Sequence, residues 1–571
     1  MKKNFLIFIG MIACLTNYVQ SQSISPILIG QNAWMPDTIG IASNCTDPPC
    51  LLNGKLHKKW KEIGESSSRT IRFGGIAADK NKPTNYQYIK MIDSIRAKGM
   101  EPIIQVPFHN WRYSASEAAS IVQYVNITKN KNVKYWIIGN EPDLGYSYTT
   151  ATQIASYIRP FASAMKAIDP TIKIIGPECA WYNQTILNGL TTPNGPDDIT
   201  GKDTYGNYYI DVISFHIYPF NGSQTRTQVI TKLTSTGSFQ DNLIALNQRL
   251  NNCNSAHGRT GTNSLRAAVT EANVSWQNST SDNLWGVGAN SFIGGQFIAE
   301  LISICMKNNV QILNIWSVIE GNSVVNNIGY LDPASGNKKP SFYHFQLLAE
   351  HFSGIYLTGT TNNTYVKAFG CQSNNKIKIM VLNQDQSNDY NFSLSLNNTV
   401  INSQTALKIN INASVAAPIT NDFISSQSTA MYIFSESGVL EEKIVYELNA
   451  QASANLPPQV IPYNITTGTS TSPATSSGNE KFGIKKIFPV PVTENKFNME
   501  LNGNRNDIED EELQLIIYNL LGQTVLDKKY TFRSGKEDII LPENIANGEY
   551  IISIKEGKKE NFCNEKIIIL K

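Results

Sequence analysis

Tyr135-Trp136-Ile137-Ile138-Gly139-Asn140-Glu141-Pro142 is an apolar run that stops on a carboxylate. A buried strand reaching the surface at a Glu holds that side chain rigidly, partly out of water and open to a ligand. Burial disfavours the charged form of a carboxyl, which suits a general acid. Pro142 ends the strand pattern, because it has no N–H to donate and fixes its own φ. Leu265-Arg266-Ala267-Ala268-Val269-Thr270-Glu271 repeats the shape, a short apolar run ending on Glu. A lone strand-end Glu is most often a solvated cap. Two of them, one set in Asn-Glu-Pro, make a pair fit for acid/base and nucleophilic work.

Outward from these runs, short apolar segments alternate with longer amphipathic ones, the signature of parallel βα units. Strands are expected at Ile27–Asn32, Thr70–Gly74, Pro102–Val106, Val133–Asn140, Ile172–Glu178, Val212–His216, Arg266–Glu271 and Ile312–Trp316. Helices are expected between them, at Tyr86–Lys98, Ser116–Val125, Ile154–Ile168, Asn242–Leu250 and Phe292–Lys307, with Tyr343–Phe352 closing the round. In the third helix Ile154, Ile158, Phe161, Met165 and Ile168 recur at helical spacing. Eight such units predict an α/β fold of the (β/α)8 barrel type, with Glu141 on the fourth strand and Glu271 on the seventh, at the face where such barrels carry their sites. A doubly wound open sheet is the competitor. It normally shows a Gly-rich phosphate turn after its first strand, where this chain has Gly30-Gln31-Asn32-Ala33-Trp34.

From about Ile27 to Gly354 the chain resembles the clan A glycoside hydrolases, retaining (β/α)8 enzymes with catalytic glutamates on strands four and seven. The resemblance implies that Glu141 is the acid/base and Glu271 the nucleophile in cleaving the β-glycosidic bonds of a polysaccharide or oligosaccharide. Arg72, in Ile71-Arg72-Phe73-Gly74-Gly75, matches the second-strand Arg that contacts the nucleophile, and Asn140 matches the Asn that binds the sugar 2-hydroxyl. Tyr218, in Ser214-Phe215-His216-Ile217-Tyr218-Pro219, resembles the Tyr that hydrogen-bonds the nucleophile, and Trp316 the Trp beneath the reacting sugar. His216 is taken as a subsite residue, a hydrogen-bonded core or rim histidine being its ordinary reading. Glu178, ending the fifth strand, is the rival to Glu271, and Glu320 a weaker one; the family's strand order favours Glu271. His109, Trp111, Trp181, Tyr182 and Trp276 fall in loops on the catalytic face and either line sugar subsites or pack their own loops. Arg72-Phe73-Gly74-Gly75-Ile76-Ala77-Ala78-Asp79 resembles a segment of clan A families that cleave β-glucuronides or cellulose-like glucans, so a β-glucan and a uronide-containing substrate both stay open. So do a transglycosylase on the same site and a noncatalytic surface carbohydrate-binding protein on a decayed barrel.

The 571 residues carry a formal net charge of +2 with no basic block, so no electrostatic footprint for nucleic acid is present. The six histidines are dispersed and no His/Cys cluster has ligand spacing, so neither a metal nor another cofactor is expected. Met1-Lys2-Lys3 followed by Phe5–Leu15 reads as a signal peptide over residues 1–21, too short to span a membrane, and no transmembrane segment is expected elsewhere. Cys14 as a lipoprotein cysteine is the alternative. Cys45 and Cys50 bracket a short loop and could pair in an oxidising compartment.

The barrel is expected over 22–354 and an accessory antiparallel β-sandwich over 355–440, on the alternation in Lys376–Leu382 and Tyr390–Leu396. A Pro/Ser/Thr-rich linker follows over 441–481 and a small Ig-like β-domain over 482–571. Ile487-Phe488-Pro489-Val490-Pro491, Asn519-Leu520-Leu521-Gly522-Gln523, Gly548-Glu549-Tyr550 and the Lys-flanked last strand resemble the C-terminal sorting domain of type IX secretion substrates. Phe488 and Val490 depart from the Tyr and Asn usual there. That resemblance implies export to the cell surface or medium, with the secretion machinery as partner and a carbohydrate as substrate; the enzyme is expected to be a monomer.

Overall fold

The structure, a computed structural model, describes residues 22–33, 59–80, 82–145, 148–321, 323–333, 335–397, 400–415, 417–462, 483–488, 495–502, 512–519, 524–531, 536–546, 548–555 and 562–569. The leader, Cys45, Cys50 and the Ser/Thr-rich stretch of the expected linker lie outside them. The chain divides into two compact units, Met1–Thr466 and Thr467–Lys571.

The first unit is built on a closed parallel barrel of eight strands in sequence order. They are β1 (Ile29–Ala33), β2 (Thr70–Phe73), β3 (Glu101–Val106), β4 (Tyr135–Ile138), β5 (Lys173–Cys179), β6 (Val212–Ile217), β7 (Arg266–Ala272) and β8 (Ile312–Ile315). Ile29 pairs with Leu313 and Gly30 with Asn314, which closes the ring between first and last strands. Every one of these strands is buried along nearly its whole length, which is why they read as continuous apolar runs rather than alternating ones. The open-sheet alternative is thereby excluded.

Several of the helices that return the strands start on side-chain caps. Thr84 accepts from the Gln87 N–H, Ser114 from Glu117, Thr150 from Gln153 and Thr225 from Gln228, each in a reciprocal capping box. Helix Phe292–Lys307 is buried on every face from Phe292 to Met306. The cause lies on its far side, where the second sheet packs. Gln296 Nε2 donates to the carbonyls of Asn383 (3.1 Å) and Ser428 (2.9 Å), and Tyr446 lies 5.2 Å from the Phe292 ring. An all-round apolar helix is what a position between two layers requires.

That second layer is a nine-stranded sheet, folded on itself around its own apolar core. Its strands are β9 (Ile355–Thr361), β10 (Val366–Ser373), β11 (Lys376–Asn383), β12 (Tyr390–Leu396), β13 (Leu407–Ile411), β14 (Thr420–Ile424), β15 (Ser428–Ser435), β16 (Leu440–Glu447) and β17 (Gln459–Pro462). Two expectations change here. β12 and β13 run parallel, so the sheet is not purely antiparallel. The sheet also does not end at residue 440: β16 pairs with β15 and β17 with β16, so the first part of the expected linker is folded strand. Pro457-Pro458, within the expected linker, lies just ahead of the edge strand β17, where proline is tolerated. At the amino end, the Ile24 N–H donates to Gly354 O (2.7 Å) and the Tyr356 N–H to Gln22 O (2.8 Å), tying the chain start to β9.

The second unit holds two antiparallel sheets. One joins Gly483–Phe488, Lys496–Asn502 and Lys536–Ile540; the other joins Glu512–Asn519, Thr524–Thr531, Gly548–Lys555 and Phe562–Ile569. Phe497, Met499, Leu515, Ile517, Ile552 and Ile567 lie in their common core.

Candidate active site

The β4 exit is shaped by its own sequence. Gly139 sits at φ +69° and Glu141 at φ +46°, so the chain turns left-handed twice within three residues. A Cβ at Gly139 would lie 2.9 Å from Phe108 Cβ, so glycine serves both the backbone angle and the close approach. Buried Asp79 supports this turn through three acceptances: from the Asn140 N–H (3.1 Å), the Phe108 N–H (3.2 Å) and Gln105 Nε2 (2.6 Å). The Glu141 N–H donates to Glu178 O (3.0 Å). A non-glycine residue held left-handed and over-determined in this way is a feature of functional sites.

Beneath the barrel mouth lies a buried network of charge. Arg72, on β2, has no exposed surface. Its Nη1 donates to Glu271 Oε1 (2.9 Å) and Asn32 Oδ1 (3.0 Å), and its Nη2 to Asn140 Oδ1 (2.6 Å) and Glu178 Oε2 (2.8 Å). Burial alone would lower the guanidinium; Glu178 and Glu271 overcome it and raise it above its ordinary value. Because a guanidinium can only donate, Arg72 also fixes the Asn140 amide, leaving its NH2 as the end available to a ligand.

His216, on β6, is equally buried, with Nδ1 2.9 Å from Glu141 Oε1 and 3.6 Å from Glu271 Oε2, and Nε2 3.4 Å from Glu178 Oε2. Burial lowers an imidazole, but Glu271, Glu141 and Glu178 together push this one up to about 10. It is therefore a cation at neutral pH that donates from both nitrogens. Glu178, on β5, accepts from Arg72 and from Thr270 Oγ1 (2.7 Å). Burial would raise its carboxyl, yet Arg72 and His216 hold it down at about 2.

Glu271, next to the last residue of β7, has one oxygen on Arg72 and the other accepting from the Tyr218 hydroxyl (2.8 Å). Burial is the largest influence and the net shift of its carboxyl is upward. His216 and Arg72 pull it down, Glu141 pushes it up, and the Tyr218 hydroxyl opposes the rise. The Tyr218 phenol itself is pushed up, first by burial and then by Glu271, so it stays a donor.

An oxygen of Glu141, the His216 Nδ1 and an oxygen of Glu271 all lie within 4.8 Å of one another. Three such atoms could in principle hold a metal ion. The His216 Nδ1 is already engaged with Glu141 Oε1 at 2.9 Å, so a metal ion would have to displace that hydrogen bond. Arg72 and His216 supply two positive charges among the three carboxyls of Glu178, Glu271 and Glu141.

Above the network opens a cleft of about 690 Å3. Asn140, Glu141, Tyr218, Glu271 and Trp316 line it, so five of the sequence-derived residues converge on one space. Two do not reach it. His216 is no subsite residue, since its ring is wholly enclosed by carboxylates, and Arg72 acts from beneath rather than on a ligand. Glu178, the rival second carboxylate, is completely buried behind Arg72 and His216 and cannot touch a ligand. Of the loop residues, Trp181 and Trp276 line the cleft with about half of each side chain exposed. Trp276 is fixed by its N–H to Phe220 O (3.1 Å). Tyr182 instead packs edge-on to Phe215 at 5.3 Å and bonds Arg249, and Trp111 packs against Phe108 at 5.4 Å. Glu320, Leu144, Ile76 and Ile328 complete the walls.

Sequence reasoning missed Asn32 and Asp79 and gave Glu178 the wrong kind of role. The only signal for Asn32 was a polar residue inside an apolar strand, and for Asp79 an acid in the Gly-Gly segment.

Residues 486–570 match the family described as the secretion system C-terminal sorting domain. The carboxy-terminal domain is a secretion sorting domain. It marks the chain for type IX secretion to the cell surface or extracellular space. Among the described residues no helix is long and apolar enough to cross a membrane. No curated protein matches the chain.

Solved structures similar to it include CelM2, a bifunctional glucanase-xylanase from a metagenome library, at 15% identity over 72% of this chain and 96% of that one, with a TM-score of 0.49. Cel44A, a family 44 endoglucanase from Clostridium thermocellum, is 14% identical over 72% and 97%, TM-score 0.47. A bacterial orthologue of human α-L-iduronidase is 12% identical over 95% and 98%, TM-score 0.45.

Proposed function

We propose that the exported chain is a retaining glycoside hydrolase that cleaves β-glycosidic bonds by double displacement. The observation that carries this is the approach of the two cleft carboxyls, with an oxygen of Glu141 no more than 4.8 Å from an oxygen of Glu271. Retaining enzymes space their carboxyl groups by about 5–5.5 Å, whereas inverting ones need roughly 6.5–9.5 Å to admit a water. Glu271 is the nucleophile, because its oxygens are positioned by Arg72 and Tyr218 and its side chain opens onto the cleft.

With a sugar ring over Trp316, Glu271 attacks the anomeric carbon while Glu141 gives its proton to the departing oxygen. The C–O bond to the leaving group breaks as the ester to Glu271 forms. The Asn140 NH2 is placed to bind a ring hydroxyl. His216 Nδ1, 2.9 Å from Glu141 Oε1, holds that side chain in place at the cleft. The Glu141 carboxylate then takes a proton from water, whose oxygen displaces Glu271 and restores both groups.

Substituting Glu141→Gln tests the assignment. Turnover of substrates with poor leaving groups should fall by roughly 10²–10⁴-fold, because that is what protonation assistance contributes. Aryl glycosides with good leaving groups should lose much less, and azide should restore their turnover. Equal losses on both, without azide rescue, would remove Glu141 from the acid/base role.

A further inference from the structure

The loop that leaves β5 is fastened to the loop that carries Glu141. The Glu141 N–H donates to Glu178 O (3.0 Å), and Asp143 accepts from the Ala180 N–H (2.8 Å) and from Asn183 Nδ2 (3.4 Å). Trp181 lies between those last two contacts. Its carbonyl accepts from the Asn183 N–H (2.7 Å), and its neighbour Tyr182 packs edge-on to Phe215 and bonds Arg249. The backbone on both sides of Trp181 is thus fixed, while its side chain stays 47% exposed on the wall of the cleft. An exposed Trp often packs its own loop, as Trp111 does against Phe108 at 5.4 Å. Here Asp143, Tyr182 and the backbone hold the loop, which leaves the indole face to the cleft.

We propose that Trp181 is the platform for the leaving-group sugar, so that the bond cut lies between two sugar rings. The inference rests on the hydrolase reading, in which Glu141 gives its proton to the departing oxygen. A general acid acts within about 2.6–3.2 Å of the atom it protonates. That oxygen belongs to the leaving group, so the leaving group lies beside Glu141, where Trp181 is fastened. An indole gives the C–H groups of a pyranose a flat apolar face. A platform that is already rigid contributes its contact without the cost of ordering a loop. Fluoride or methanol leaving from the same glycone has no ring to stack and gains nothing from it.

The test holds the glycone fixed and changes what leaves. Cello-, xylo- and manno-oligosaccharides are compared with the methyl β-glycoside and the β-glycosyl fluoride of the matching glycone. Trp181→Ala should lower kcat/KM on the oligosaccharides by roughly 10–100-fold, the effect of one ring face buried on an aromatic side chain. The fluoride and the methyl glycoside should be nearly unchanged, and Trp181→Phe should recover part of the loss. All rates for a variant come from one preparation, so the fraction folded cancels in their ratios. Equal losses on all three leaving groups, or no loss on any, would overturn the inference and leave the hydrolase reading standing. So would a parent chain that turns over the fluoride but no oligosaccharide. No turnover of any substrate, together with no labelling of Glu271 by a fluorosugar, would overturn both.

Discussion

At the scale of single residues, the site works by enclosing two cations among three carboxyls. The energetic consequence is a pH dependence that can be signed from the shifts. His216 is raised from 6.5 to about 10 in the folded chain, so its stabilisation is fully present below pH 6.5 and is lost as pH rises toward 10. Glu178 is lowered from 4.5 to about 2, so its stabilisation is fully present above pH 4.5 and is lost as pH falls toward 2. Thermal stability should therefore be greatest between about pH 4.5 and 6.5 as far as these two groups decide it. His216→Asn should flatten the decline between pH 6.5 and 10 relative to the parent, and melting curves across that range would show it. An alkaline slope identical in both proteins would mean that His216 is not a buried cation. Removing its partner is expected to be worse. Glu178→Gln leaves Arg72 and His216 buried with less compensation, a change that typically costs about 3–5 kcal/mol.

At the scale of elements, strand ends do the positioning. Glu141 and Glu271 lie at the ends of strands whose apolar runs were legible because both faces of a parallel barrel strand are buried, and each observed strand begins and ends within one residue of its expected bounds except β4, which starts two late at Tyr135 and ends two early at Ile138, and β1, which starts two late at Ile29. The carboxylates themselves were legible as polar residues where those runs stop. His216 was not, because its ordinary position on an apolar strand says nothing about three acids converging from β4, β5 and β7. The parallel β12–β13 pair was equally hidden, since alternation gives strand character but not strand direction. Helix Phe292–Lys307 offers a test of how the layers are joined. A Cβ at Gly295 would meet His344 Nδ1 at 2.6 Å and Pro340 backbone carbon at 2.8 Å. Gly295→Ala should therefore lower stability by about 1–3 kcal/mol through overpacking, although alanine is the better helix former. A higher melting temperature in the variant would show that this helix and helix Pro340–His351 have room to separate.

At the scale of the whole molecule, the chain joins a site-bearing unit to one that is read for export. A chain ending after Pro462 keeps β16 and β17 and should stay folded and active when purified, yet fail to leave its native cell. One ending at residue 440 strips those strands from the sheet beside the barrel, baring Met431 and Tyr432, and should be markedly less stable. Equal stability of the two would return residues 441–462 to the linker. What the intact chain does with its two cleft glutamates under the proposed function is read most directly by proton NMR of the sugar released in the first turnovers, before mutarotation mixes the anomers. Double displacement through Glu271 requires the first-formed product to keep the β configuration of the substrate. A first product of α configuration would contradict the nucleophilic role of Glu271, even with the barrel and its charge network unchanged.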